Sequence, residues 1–230
     1  MNANCEILKK IAQHLMLSSS FANTIGLLNG KMGCVIFFFN LAEYSKKSVY
    51  EKFAYELLEE IYEEISSETQ VGFKDGLSGI AWGIDYLICN KSVDIDDEAL
   101  LDELDEFVVK TMINKIQGTS VEMELKGLAH YVISRKSNAV LNHSMISTDY
   151  VKNLANALRQ FNQDEETILL MHKLCLVIED ILPRYEHVNL LREIVSNVVF
   201  DTDQIFYPQR TLGIINNGYT GIGLNLLWNN

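Results

Sequence analysis

Two kinds of apolar segment alternate in this chain. In residues 50–65, Tyr50, Phe53, Ala54, Leu57, Leu58, Ile61 and Ile65 recur at helical spacing with glutamates between them. That arrangement describes a helix with one face in water. Residues 97–112 repeat it with Leu100, Leu101, Leu104, Val108 and Met112, and 148–161 and 186–200 are shorter versions. Segments of the second kind, such as "MGCVIFFF" (32–39) and "GLSGIAWGI" (76–84), are apolar on every side and predict helices covered all round. The alternation predicts outer helices over 3–19, 47–66, 96–116, 147–162 and 186–200, and inner helices over 31–44, 77–89, 122–135, 166–181 and 219–228. Nothing reads as a sheet. The extended-looking stretch "QIFYPQRTLGII" (204–215) reads as a loop.

Glycines punctuate the inner segments. Gly30 and Gly33, Gly76 and Gly79, and Gly218 and Gly221 each stand three apart, and a weaker copy has Gly127 with His130 in the second place. Gly30 and Gly76 are 46 residues apart, Gly76 and Gly127 are 51 apart, and Gly127 and Gly218 are 91 apart. The last interval is close to twice the first, so a degenerate copy is expected near residue 172, within "TILLMHKLCLVIEDIL" (167–182). A period of this length indicates stacked or circularly arranged helical units. Glycine costs about 1 kcal/mol against alanine inside a helix. Its recurrence here predicts tight entry turns, including a positive φ, and close approach of neighbouring backbone.

With 230 residues, 48% of them hydrophobic and only Pro183 and Pro208 as prolines, the chain can bury one substantial core. A single domain over 1–230 is expected. The formal net charge of −12 argues against partners that are nucleic acid or anionic membrane. The acidic excess falls mainly on the predicted outer faces of 51–65 and 94–107. Cys5, Cys34, Cys89 and Cys175 lie in apolar surroundings without metal-ligand spacing, as expected of reduced thiols in a cytoplasmic protein. The N-terminal segment is amphipathic and lacks the apolar core of a signal peptide. Met32–Phe39, the longest near-apolar run, is too short to span a bilayer.

"GLLNGKMGCVIFFFNLAEYSKKSVYEKFAYELLEEIYEEI" followed by "GFKDGLSGIAWGIDYLI" resembles the first two repeats of the lanthionine synthetase C-like family, and "IINNGYTGIGLNLLW" resembles its closing repeat. The match runs over roughly residues 22–90 and 211–228 and is weak between them. The resemblance implies an all-α fold, an α/α toroid-like array, here of about five inner/outer helix hairpins where relatives commonly have seven. The best-known members are zinc enzymes that add a cysteine thiol of a precursor peptide across dehydroalanine or dehydrobutyrine. Their ligands come from Cys-Tyr-Gly and Cys-His-Gly motifs just ahead of inner-helix glycines. The comparable positions here are Leu28 and Asn29, Lys74 and Asp75, Leu125 and Lys126, and Asn216 and Asn217. None is Cys or His, so no metal, no other cofactor and no catalytic residue is expected.

The resemblance places substrate binding at the entry turns, which makes Asn29, Lys31, Lys74, Asp75, Ser78, Lys126, His130, Asn217 and Tyr219 the ligand-binding candidates. Each has a structural alternative. Asn29, Asp75 and Asn217 precede glycines and suit helix capping. Lys74 or Lys126 with Asp75 suits a surface ion pair, and His130 and His172 suit structural, core-edge roles. Trp82, Phe37, Phe38 and Phe39 belong to the core. The function expected is a peptide- or protein-binding accessory in maturation of ribosomal peptides of the lantibiotic type. The alternatives are a metal-free enzyme acting on a modified peptide or small molecule, and a structural subunit completed by homo-oligomerisation.

Overall fold

The computed structural model describes residues 3–19, 22, 24–66, 68–93, 98–110, 113, 116, 121–137, 145–201, 205–206 and 210–229. Residues 96–97, 111–112 and 114–115 of the predicted outer helix, Met112 among them, lie outside the described residues, as do 204 and 207–209 of the predicted loop. Ten helices and no strand occur among the described residues: α1 Ala3–Ser18, α2 Lys31–Ser45, α3 Ser48–Glu64, α4 Leu77–Cys89, α5 Glu98–Lys110, α6 Val121–Ser137, α7 Thr148–Leu158, α8 Glu165–Ile178, α9 His187–Ser196 and α10 Tyr219–Trp228. The all-α architecture and the alternation of outer and inner segments are as the apolar spacing predicts.

The helices group into two compact units, Met1–Ser66 with Val188–Asn230, and Ser67–His187. In the first, α2 is buried on all sides from Lys31 to Phe39. Its partner α3 buries Tyr50, Ala54, Leu57, Leu58 and Ile61 and leaves most of its glutamates outside. Phe37 and Phe38 meet edge to face at 5.2 Å. Helix α10 approaches α2 so closely that a Cβ on Gly223 would come within 2.4 Å of the Phe37 ring, and Tyr219 at its start packs on His14 of α1 at 4.3 Å.

In the second unit α4 is buried from Leu77 to Ile88 and packs on α5 and α6, with α7 and α8 against α6. Ser147 and Asp164 cap α7 and α8 by accepting from the amides of Tyr150 and Thr167, which satisfies amides the helix itself cannot. Helix α8 departs from the all-covered expectation. Thr167, Leu170 and Leu174 are buried, whereas Ile168 and Leu169 are more than half exposed. His172, expected at the core edge, is exposed.

Candidate functional site

The entry turns share one backbone device. The first two amides of α2, from Lys31 and Met32, donate to the carbonyls of Thr24 and Ile25 at 3.1 and 3.2 Å. Those of α4, from Leu77 and Ser78, donate to Gln70 and Val71 at 2.8 and 3.1 Å. Those of α10, from Tyr219 and Thr220, donate to Thr211 and Leu212 at 2.9 and 3.1 Å. The preceding loop therefore satisfies two of the orphan amides at each of these helix starts. This corrects the capping expectation for Asn29, Asp75 and Asn217. The N-cap residue is Gly30, Gly76 or Gly218, with no side-chain cap bond. The φ of Gly30 is −124° and that of Gly76 is −126°, so positive φ is not the reason for glycine there. A Cβ would collide with the carbonyl of Thr24 at Gly30 and of Gln70 at Gly76. The positive φ falls instead on Asn216 and Asn217, at 57° and 54°, a conformation asparagine tolerates better than most residues.

The fourth turn is different. Helix α6 starts at Val121 rather than at Gly127, which puts Lys126 and His130 in the body of the helix. Gly127 is a packing position whose added Cβ would run into Phe73. Glu124 of the same helix accepts from the amides of Phe73 and Lys74, at 2.5 and 3.3 Å, and so ties the α4 entry turn to α6.

Lys126 is enclosed by carboxylates, at 2.7 Å from Asp164, 3.1 Å from Glu166 and 3.2 Å from Glu122. Burial alone would lower its pKa, but these bonds outweigh that and hold it well above the usual lysine value. The hydrogen bond from Lys126 and those from Thr167 hold Asp164 down at about 2. One turn on, His130 lies between Glu166, at 3.4 Å from Nε2, and the Tyr185 hydroxyl, at 3.1 Å from Nδ1. The Tyr185 oxygen also accepts from Trp82 Nε1 at 2.8 Å.

Behind Tyr185, and packed on its ring at 5.1 Å, stands His187. Its Nε2 is 2.8 Å from Asp85 Oδ2 on α4. Burial alone would raise the Asp85 pKa, but His187 and the Arg135 charge hold it below the ordinary value. Arg135 itself bonds Asp105 and Asp102, at 2.9 and 3.1 Å from Nη2, and Tyr131 donates to Asp105.

On another side of α6 a cavity of about 750 Å³ opens against α5 and α7. Val109, Leu125 and Phe161 contribute apolar surface, and Asn153, Asn156 and Gln160 contribute amides.

The structure brings only part of the predicted set together. Lys126 and His130 share Glu166. Lys74 and Asp75 are half-buried in the α4 entry turn, and Ser78 is fully buried behind it. In the first unit Lys31 is buried and pairs with Glu60 and Glu64 of α3, the former at 2.8 Å. Tyr219 is buried against His14 and Phe206. Asn29 is half-buried, and the Asn217 side chain accepts from the Val199 amide at 2.9 Å. The cysteines also differ from expectation. Cys34 is buried and its thiol is pushed up to about 11 by that burial, but Cys5 and Cys89 are exposed. Tyr185, Asp85, His187 and the lining of the cavity were missed. Their partners are remote in sequence, and no local spacing announces them.

The zinc that the resemblance implies does not fit the entry turns. The side chains there are Leu28, Asn29, Lys74, Asp75, Leu125, Lys126, Asn216 and Asn217, whereas a catalytic zinc needs three ligands of thiolate, imidazole or carboxylate type. Asp75 alone qualifies.

Residues 22–135 match the family described as lanthionine synthetase C-like protein. No curated protein and no solved structure matches the chain. Through this segment, which holds the α2 and α4 entry turns and the helix bearing Lys126 and His130, the chain is a member of the lanthionine synthetase C-like family.

Proposed function

We propose that this chain is a peptide-binding accessory in the maturation of ribosomal peptides of the lantibiotic type. The observation that carries the reading is the cavity beside α6, α5 and α7. Its 750 Å³ falls within the range of small-ligand and peptide side-chain sites, about 300–1,000 Å³. Its mixture of apolar walls with Asn153, Asn156 and Gln160 suits an extended peptide. Amide side chains both donate and accept, so they match peptide groups without calling for a charged ligand. The cationic candidates Lys31 and Lys126 are each held by carboxylates of the chain itself, which supports recognition by shape and hydrogen bonding over recognition by charge.

Fluorescence anisotropy with a short labelled peptide containing dehydroalanine and cysteine tests this. Saturable binding is expected, weakened about three- to tenfold for each of Asn156→Ala and Gln160→Ala, as the loss of about 0.5–1.5 kcal/mol per hydrogen bond implies. Absence of saturable binding, or affinity unchanged in both variants, rejects the reading. A second reading, a metal-free enzyme, is favoured by His130 standing between Glu166 and Tyr185, an arrangement able to move a proton. Turnover of the same peptide, followed by mass spectrometry and abolished in His130→Gln, would establish it.

A further inference from the structure

We propose that Asp85, Cys89 and His187 form a binding site for one divalent transition-metal ion of the zinc class, at the opposite end of α4 from its entry turn. The site lies wholly within the Ser67–His187 unit. One ligand atom from each residue lies within 4.8 Å of the other two. Asp85 and Cys89 are four apart on α4 and so share a face. His187, the first residue of α9, closes the set at 2.8 Å from Asp85. Thiolate, imidazole and carboxylate together suit zinc rather than magnesium or calcium, which prefer all-oxygen sets.

The geometry is within reach of coordination. A tetrahedral ion at about 2.0–2.3 Å from its ligands holds them roughly 3.3–3.8 Å apart. Asp85 and His187 therefore part slightly to admit an ion, and Cys89 moves in. Cys89 is the terminal, exposed residue of α4, so rotation about its side-chain bond is unobstructed by a core. Asn90 and Lys91 beside it are also exposed, which leaves a path for the ion from solvent.

The surroundings suit a dication. Asp85 is fully buried and His187 is 8% exposed. The rings of Trp82, Tyr185 and Tyr86 stand 5.1, 5.1 and 6.1 Å from the His187 ring, an aromatic wall that limits the room the imidazole has to turn. The nearby cation, Arg135, is already matched by Asp105 and Asp102. Asp85 and a Cys89 thiolate together would supply two negative charges to the ion. Three protein ligands leave a fourth position for water or a ligand. The reading does not depend on peptide binding, and it differs from the family's arrangement in position and ligand set.

Cobalt(II) absorbance on the intact, chelator-stripped and reduced chain tests the site, with Zn²⁺ as competitor. One Co²⁺ per chain is expected, with a thiolate-to-cobalt charge-transfer band and tetrahedral d–d bands, all displaced by Zn²⁺. Cys89→Ser should abolish the charge-transfer band and weaken Zn²⁺ binding by at least about tenfold. Its metal-free unfolding midpoint should be unchanged, because Cys89 is exposed. Asp85→Asn puts the fold at risk, so Cys89→Ser and His187→Gln carry the test. No saturable Co²⁺ binding, saturable binding without a charge-transfer band, or wild-type affinity in either variant overturns the proposal.

Discussion

The indole Nε1 of Trp82 donates to the Tyr185 hydroxyl at 2.8 Å. This single bond ties the buried helix α4 to the segment after α8, and Tyr185 in turn touches both His130 and His187. Removing the hydroxyl leaves a buried indole N–H without its acceptor, a cost of about 1–3 kcal/mol. Tyr185→Phe should therefore lower stability by that amount in urea unfolding followed by tryptophan emission. A Trp228→Phe background isolates the Trp82 signal. A shift below about 0.5 kcal/mol would show that water replaces the bond freely.

Lys126 and its carboxylates set a pH dependence. Asp164 is held at about 2, first by the hydrogen bond from Lys126. Glu166 is held below its ordinary 4.5 by His130 and, against burial, by Lys126. A carboxylate whose folded-state pKa is depressed adds stability that is present above its unfolded value and lost as pH falls through the folded one. The window therefore runs from about pH 4.5 down to about pH 2. Lys126→Met should flatten the fall of stability with acid in that range. Parallel curves for the two proteins would remove the ion cluster from the account.

Two glycines should respond to alanine in the unusual direction. At an exposed helix interior, glycine to alanine stabilises by about 1 kcal/mol. A Cβ on Gly127 would meet Phe73, and one on Gly223 would meet Phe37. Both variants should be destabilised by about 1–3 kcal/mol through overpacking. Thermal unfolding decides the sign, and a raised midpoint in either variant contradicts the close packing.

Arg135 is fully buried beside Asp105, which is itself fully buried. Arg135→Met leaves that carboxylate uncompensated and should cost about 3–5 kcal/mol. The double variant Arg135→Met, Asp105→Asn should recover a large part of the loss, because the stranded charge is gone. A double-mutant cycle read by urea unfolding measures this coupling. Strict additivity would mean that the pair is not energetically joined.

The helices and their inner or outer character were legible because the signal is local. On α3 the stripe Tyr50, Ala54, Leu57, Leu58 and Ile61 states which face turns inward, and on α2 the absence of any polar face states burial on all sides. The entry glycines were visible as residue types, but their reason was not. At Gly30 and Gly76 the carbonyls of Thr24 and Gln70 occupy the space a Cβ would need, and an approach between backbones leaves no mark in spacing. The repeat points to Lys126 and His130, but their partners Asp164, Glu166 and Tyr185 lie 36 to 55 residues away. His187 and Asp85 are 102 apart. Periodicity along a helix encodes which face is apolar. It carries no information about which polar side chain on another helix arrives opposite, and that pairing is settled only when the helices pack.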